Sequence, residues 1–215
     1  MNHTATDVHV ELTKPLLKYL ERDRQIGHSH VMATLPRSLG PTPRHTGGVL
    51  WHIDREGERL VVRYPQVPAG ATNLGVITEI REVVGTGHLR IELAMNVQKT
   101  PPTRIPPDLQ AELKAASGKA FRSKLVVVPE HERPGWAARR LLRSAGFSVD
   151  AGSLSISPKY RADLGPRRGG AIPYVEITAT GVPADQEQFH KALANGIGKG
   201  KNFGLGLIQT FPIEH

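Results

Sequence analysis

Hydrophobic and polar residues alternate at Val8, Val10 and Leu12, the spacing of a half-buried strand. Over residues 14–36 the spacing becomes helical, and it stops at Pro36, since proline cannot continue a helix. Residues 49–54 and 60–67 read as two strands joined by the polar turn Asp-Arg-Glu-Gly-Glu. Residues 71–76 show no clear period. Alternation returns over residues 88–97, with Leu89, Ile91, Leu93 and Met95 on one face. The first half therefore reads β, α, β, β, a weak element, β.

Residues 100–108, Thr-Pro-Pro-Thr-Arg-Ile-Pro-Pro-Asp, hold four prolines in nine positions. Such a stretch forms a semi-rigid connector and not regular structure. The expected boundary lies there, between a first unit over residues 1–99 and a second over 109–215. The second half repeats the rhythm. Residues 124–128 read as a strand, 130–145 as a helix ending before Gly146, and 147–157 and 172–180 as strands. A helix runs from an Asp185 N-cap to Asn195, with Phe189 and Leu193 one turn apart. Residues 203–211 read as a last strand. This order predicts an α+β fold of two tandem ferredoxin-like, RRM-like βαββαβ domains.

Composition narrows the function. The 215 residues include no cysteine, which excludes disulfides, thiolate catalysis and cysteine-bound zinc. No apolar run approaches the roughly 18 residues that cross a bilayer, and no signal-peptide pattern opens the chain. A cytoplasmic protein with no membrane partner is the expectation. The formal net charge is +8, with 13 Lys/Arg against 10 Asp/Glu in residues 1–107 and 15 against 10 in residues 108–215. The excess is spread over the fold, as on a surface that attracts polyanions. Aromatics make up only 5%, so phosphate and groove contacts are expected in preference to base-stacking sheets.

Three segments can carry chemistry. Residues 196–207, Gly-Ile-Gly-Lys-Gly-Lys-Asn-Phe-Gly-Leu-Gly-Leu, contain five glycines with Lys199 and Lys201 interleaved. Gly198 and Gly200 can turn N–H groups toward phosphate oxygens beside those lysines. The plain alternative is a helix C-cap and loop, which needs one glycine. A Walker A loop is excluded because Asn202 follows Lys201 and the order is helix then strand. The GxGxxG fingerprint fails because Lys201 stands at its third glycine. An acyl-CoA loop fails because it precedes a helix. The loop over residues 157–170 holds Lys159, Arg161, Arg167 and Arg168 against the single acid Asp163, and reads as a basic hairpin or a solvated loop. On the first helical segment, His28 and His30 lie two residues apart and point to different sides, with Met32 and Thr34 at i+4. No metal site is expected. Either histidine can be an ordinary surface side chain or an acid–base group.

Together these residues resemble the CasE-type CRISPR RNA endoribonucleases of type I-E systems, within the repeat-associated (RAMP) superfamily. The glycine-rich segment is similar to that superfamily's G-rich loop. Gln-Ile-Gly-His-Ser-His-Val-Met-Ala-Thr-Leu-Pro resembles the family's early helix, with a histidine eight residues before a proline. Residues 91–100 are similar to the strand ending the family's first domain, and residues 124–149 to the start of its second. The resemblance implies tandem ferredoxin-like domains, no cofactor and no metal. It implies cleavage at the base of a CRISPR repeat stem-loop by 2′-hydroxyl attack on the adjacent phosphate. His28 takes the catalytic position; Gln25 stands at the family's tyrosine and Ser29 at its basic neighbour. The resemblance assigns the major groove of the stem to the hairpin with Lys159, Arg161, Arg167 and Arg168. Gly198, Lys199, Gly200 and Lys201 are expected at the RNA. The implied partners are the repeat RNA and other subunits of the type I-E Cascade complex. The alternative is a non-catalytic module of the same fold that only holds the hairpin.

Overall fold

The computed structural model describes residues 5–40, 43–100, 106, 109, 111–112, 115–116 and 125–213. The connector over residues 100–108 falls largely outside them. No helix among the described residues is long and apolar enough to cross a membrane.

The chain opens with β1 (Thr6–Glu11), then α1 (Lys14–Arg22) and α2 (Arg24–Met32), β2 (Leu50–Asp54), β3 (Arg59–Tyr64) and β4 (Ile77–Glu82). The predicted helix is thus two helices. Asp23 leaves helical geometry, and its carboxylate caps α2 by accepting from the Gln25 and Ile26 amides at 3.0 and 3.4 Å. The four strands form one antiparallel sheet, ordered β2-β3-β1-β4. Val8, Val10, Trp51, Ile53, Leu60 and Val62 pack from it against Leu20 and Val31 of the helices.

β5 (Leu89–Asn96) overturns the expected boundary. It was read as the last strand of the first unit, but it pairs antiparallel with β11 (Ala171–Pro183) and β12 (Gln209–Pro212). Its inward residues Leu89, Ile91, Leu93 and Met95 share a core with Phe147, Val175, Ile177 and Phe189. The last strand of the first sheet is instead β4, which the hydrophobic pattern does not reveal. β4 is an edge strand that pairs only with β1, and Ile80 on it is exposed, so it lacks a buried alternating face. The division between the sheets therefore falls at residues 83–88, and the proline-rich stretch lies inside the second unit.

Between β5 and β11 come β6 (Gln98–Lys99) paired with β7 (Val126–Val127), the helix Arg133–Ala145, β8 (Phe147–Val149), β9 (Ser155–Ile156) and β10 (Tyr160–Asp163). The strand expected over 147–157 is broken by a turn at residues 151–152, so β8 and β9 pair with separate stretches of β11. In chain order the unit's strands are β5, β8 with β9, β11 and β12, and laterally they run second, third, first, fourth. The first sheet has the same order. Both units are ferredoxin-like. The strand expected over 203–211 shrinks to β12, because Gly204 and Gly206 adopt φ of 73° and 81°, which extended backbone does not allow.

Candidate functional site

The site forms where α2 of the first unit meets the glycine-rich segment of the second. Gly27 on α2 faces the Trp51 ring, and a Cβ there would lie 2.7 Å from Cη2. Gly204 faces the same ring, and a Cβ there would lie 2.7 Å from Cζ3. The fully buried indole of Trp51 is thus a wedge between the two segments, and only residues without a side chain let it fit. Three further contacts fix α2. His30 Nε2 is 3.3 Å from the Leu74 carbonyl oxygen. Gly165 of the basic hairpin packs against the Asp23 cap. The buried Arg24 guanidinium donates to the Tyr174 hydroxyl at 3.3 Å, between the Trp51 and Tyr174 rings.

The two units are joined by polar contacts as well. Arg63 donates to both Asp7 oxygens at 2.7 Å and to the Leu193 carbonyl at 3.1 Å, all buried. His52 lies 3.5 Å from the Gly204 carbonyl, and burial drops its imidazole to about 4. A buried pair that also satisfies a backbone carbonyl holds relative orientation more than it adds stability.

Within this frame His28 is half-buried, and its Nδ1 has no hydrogen-bond partner among the described residues. Burial, and then the positive charges of Arg44 and Arg168, push the imidazole below its ordinary 6.5. Lys201 is partly buried, and its ammonium is lowered by burial and then by Arg44. Arg168 lies over the Phe203 ring, 5.1 Å from its centroid, and Lys201–Phe203 packs on α2. Four segments distant in sequence thus converge: α2, the short helix Pro43–Thr46, the hairpin tip and the glycine-rich turn. Among the described residues no carboxylate pairs with Arg44, Arg168 or Lys201. A neutral imidazole among unpaired cations suits proton transfer on an anionic substrate, because the cations attract the anion and the ring can take a proton.

Of the predicted residues, His28, Arg168 and Lys201 join this cluster. His30 does not, since its ring is tied to Leu74. Lys159, Arg161, Arg167 and Lys199 are exposed outside it, with Arg161 3.9 Å from Asp163. The hairpin is partly strand: β10 pairs with the first residues of β11, and Tyr160, Ala162, Tyr174 and Leu205 pack on one face of the sheet. Gly198 and Gly200 adopt φ of 75° and 92°, and among the described residues no carbonyl accepts from the amides of Gly198, Lys199 or Gly200. The Gly206 amide, in contrast, donates to the Ala94 carbonyl at 2.7 Å and belongs to the frame. Arg44, Trp51 and the role of Gly27 carry no signal in the sequence alone. Arg44 sits in a short segment with no periodic signal, and a wedge is visible only when both of its faces are known.

The sequence family described as CRISPR associated protein matches residues 5–212. No curated protein matches the chain by sequence. Among solved structures, it is similar to CRISPR endoribonuclease Cse3 bound to a 19-nucleotide RNA, with TM-score 0.72 and 17% identity over 97% of this chain and 98% of the other. It is similar to the CRISPR-associated protein Cas6e from Escherichia coli K-12, with TM-score 0.61 and 18% identity over 98% and 100%. It is also similar to a chain of a CRISPR RNA-guided surveillance complex in a pre-nicking state, with TM-score 0.57 and 15% identity over 98% and 100%.

Proposed function

This chain belongs to the CRISPR associated protein family, and on that premise we propose that it is a metal-independent endoribonuclease that binds a CRISPR repeat stem-loop and cleaves the precursor transcript at the stem base. One observation carries the reading: the uncommitted His28 imidazole lies among Arg44, Arg168 and Lys201, with the two units each supplying part of the set. His28 takes the proton of the 2′-hydroxyl. That oxygen attacks the adjacent phosphorus, and the bond to the 5′-oxygen breaks. The products are a 2′,3′-cyclic phosphate, open to hydrolysis to a 3′-phosphate, and a 5′-hydroxyl whose oxygen takes a proton from water, while the His28 imidazolium returns its proton to solvent. The three cations offset the charge that builds on the phosphorane. A lowered imidazole pKa keeps the base neutral at physiological pH.

The stem is gripped by Lys159, Arg161 and Arg167 of the hairpin, while Lys199 and the open amides of Gly198 and Gly200 contact phosphate. The likeness to a chain of a surveillance complex supports retention of the product as a subunit of a type I-E Cascade assembly in the cytoplasm. The test is incubation of purified protein with repeat RNA, with and without EDTA. Cleavage that survives EDTA and leaves a 2′,3′-cyclic phosphate is expected, and cleavage abolished by EDTA contradicts the mechanism. Gln25 and Ser29 beside His28 favour a second reading, in which the protein only holds the hairpin. A shifted but uncut RNA band would select it.

A further inference from the structure

The far side of the second unit carries a charged surface that this mechanism does not use. The helix Arg133–Ala145 packs Ala137, Leu141 and Ala145 into the core on the face of the sheet that holds Ile91, Leu93, Val175 and Ile177. Tyr160, Ala162, Tyr174 and Leu205, which seat the basic hairpin and the glycine-rich segment, lie on the opposite face. On its outer side the helix presents Arg139, Arg140 and Arg143, all exposed, beside the half-buried Trp136. These side chains and Ser144 line a depression of about 280 Å3.

Outside the candidate site, most described arginines of the folded body are matched by an acid, and this cluster is not. Arg55, Arg59, Arg63, Arg90, Arg133 and Arg161 each lie within 4.0 Å of a carboxylate. Among the described residues Arg139, Arg140 and Arg143 have no ion pair, and the helix itself contains no acid. Nearby Glu132 is held by Lys99 and feels the charge of Arg139 only from beyond ion-pair distance. Arg143 lies in the last turn, where it complements the helix dipole, but that explains only one of the three. Arg139 and Arg143 are one turn apart, about 6 Å along the axis. That axial spacing is close to the spacing of neighbouring phosphates, and Trp136 lines the same depression.

We propose that this face is a second binding surface, for the phosphate backbone of single-stranded RNA that continues beyond the stem held on the other face. The identity of the strand rests on the function proposed above; the ligand chemistry rests on the arginines alone. Protein is the weaker occupant, since the depression offers Trp136 as its one large apolar side chain among three cations.

The experiment measures fluorescence anisotropy of labelled oligo(U), 20 nucleotides and free of any stem, on the full chain and on the triple variant Arg139→Ala, Arg140→Ala, Arg143→Ala. Repeat stem-loop cleavage is followed in parallel. The variant should lose tenfold or more in oligo(U) affinity, and the slope of log K against log salt should fall by up to about 2. Stem-loop cleavage and Tm should not change. A triple Arg→Lys variant should keep most of the oligo(U) affinity. Equal oligo(U) binding by wild type and the Ala variant overturns the proposal, as does a proportional loss of oligo(U) and stem-loop binding. If wild type fails to cut the stem-loop but the oligo(U) loss remains, the nuclease reading falls and this surface stands.

Discussion

The two halves of the molecule share a strand order and differ in their crossovers. In the second unit the return from β11 to β12 passes through a full helix, Gln186–Asn195, before the glycine-rich segment. In the first unit the return from β3 to β4 is only the 3-10 turn Ala69–Leu74. The face left free is covered from the other crossover, where Asp23 splits the helix so that α2 lies beside that turn. His30 reaches the Leu74 carbonyl, and Gly70 packs against the Thr34 carbonyl. Each unit thus brings a different crossover to the site: the first unit its outgoing one, with the imidazole, and the second its return, with Lys201. Trp51 sets the separation between them. On the proposed mechanism the first unit cuts and the second holds, and a defect in either should have its own signature.

The largest effect that breaks this division without touching a reactive group is at the wedge. Gly27→Ala puts a methyl 2.7 Å from the Trp51 ring and must displace α2. Single-turnover cleavage should fall about 10- to 100-fold, since small misplacements of reacting groups are costly. Stem-loop affinity should change little, as a gel-shift titration would show. Next comes the hairpin. Replacing Lys159, Arg161 and Arg167 together with Ala should weaken stem-loop binding tenfold or more and reduce its salt slope by about 2 to 3. The rate at saturating RNA should be preserved, and a fall in rate alone would contradict the division.

A smaller and more specific effect concerns protonation. His28 lies below its ordinary 6.5 partly because of Arg44. In the proposed role of base it works when neutral, so activity should fall as pH drops through its lowered value. Arg44→Gln removes a positive neighbour and should move that acid limb to higher pH, as a pH–rate profile would record. An unmoved limb would detach Arg44 from His28. The smallest effect is on stability. His52, at about 4 when folded and 6.5 when unfolded, takes up a proton more readily in the unfolded chain between those values. Stability should therefore fall on acidification from about 6.5 to 4, by at most roughly 3 kcal/mol from this group. His52→Gln should flatten that part of a Tm-against-pH curve.

The units differ also in how much of them could be read from sequence. The helix capped by Asp185 and the strand around β5 follow from local pattern. Which sheet β5 joins does not, because alternation fixes a strand's faces but not its neighbours. β4 is hidden because an exposed edge strand has no need of an apolar face. His28 is marked over His30 by its resemblance to a family position, eight residues before Pro36, and the Leu74 contact of His30 fits that choice. Arg44 had no local signal at all, since its role arises from long-range convergence. The glycine-rich pattern points Gly198 and Gly200 at phosphate and gives no separate reason for Gly204 or Gly206. For Gly204 the tighter reason is the Trp51 ring, and for Gly206 it is a φ of 81° with the Ile197 carbonyl oxygen 2.1 Å from where a Cβ would stand.

The most direct measurement is the single-turnover cleavage rate of the repeat stem-loop by His28→Ala and His30→Ala at saturating RNA, with binding measured on the same samples. His28→Ala should lose about 10³-fold or more in rate while its affinity stays within a few-fold, and His30→Ala should cut nearly as wild type. Cleavage by His28→Ala at the wild-type rate would contradict the proposed role of His28.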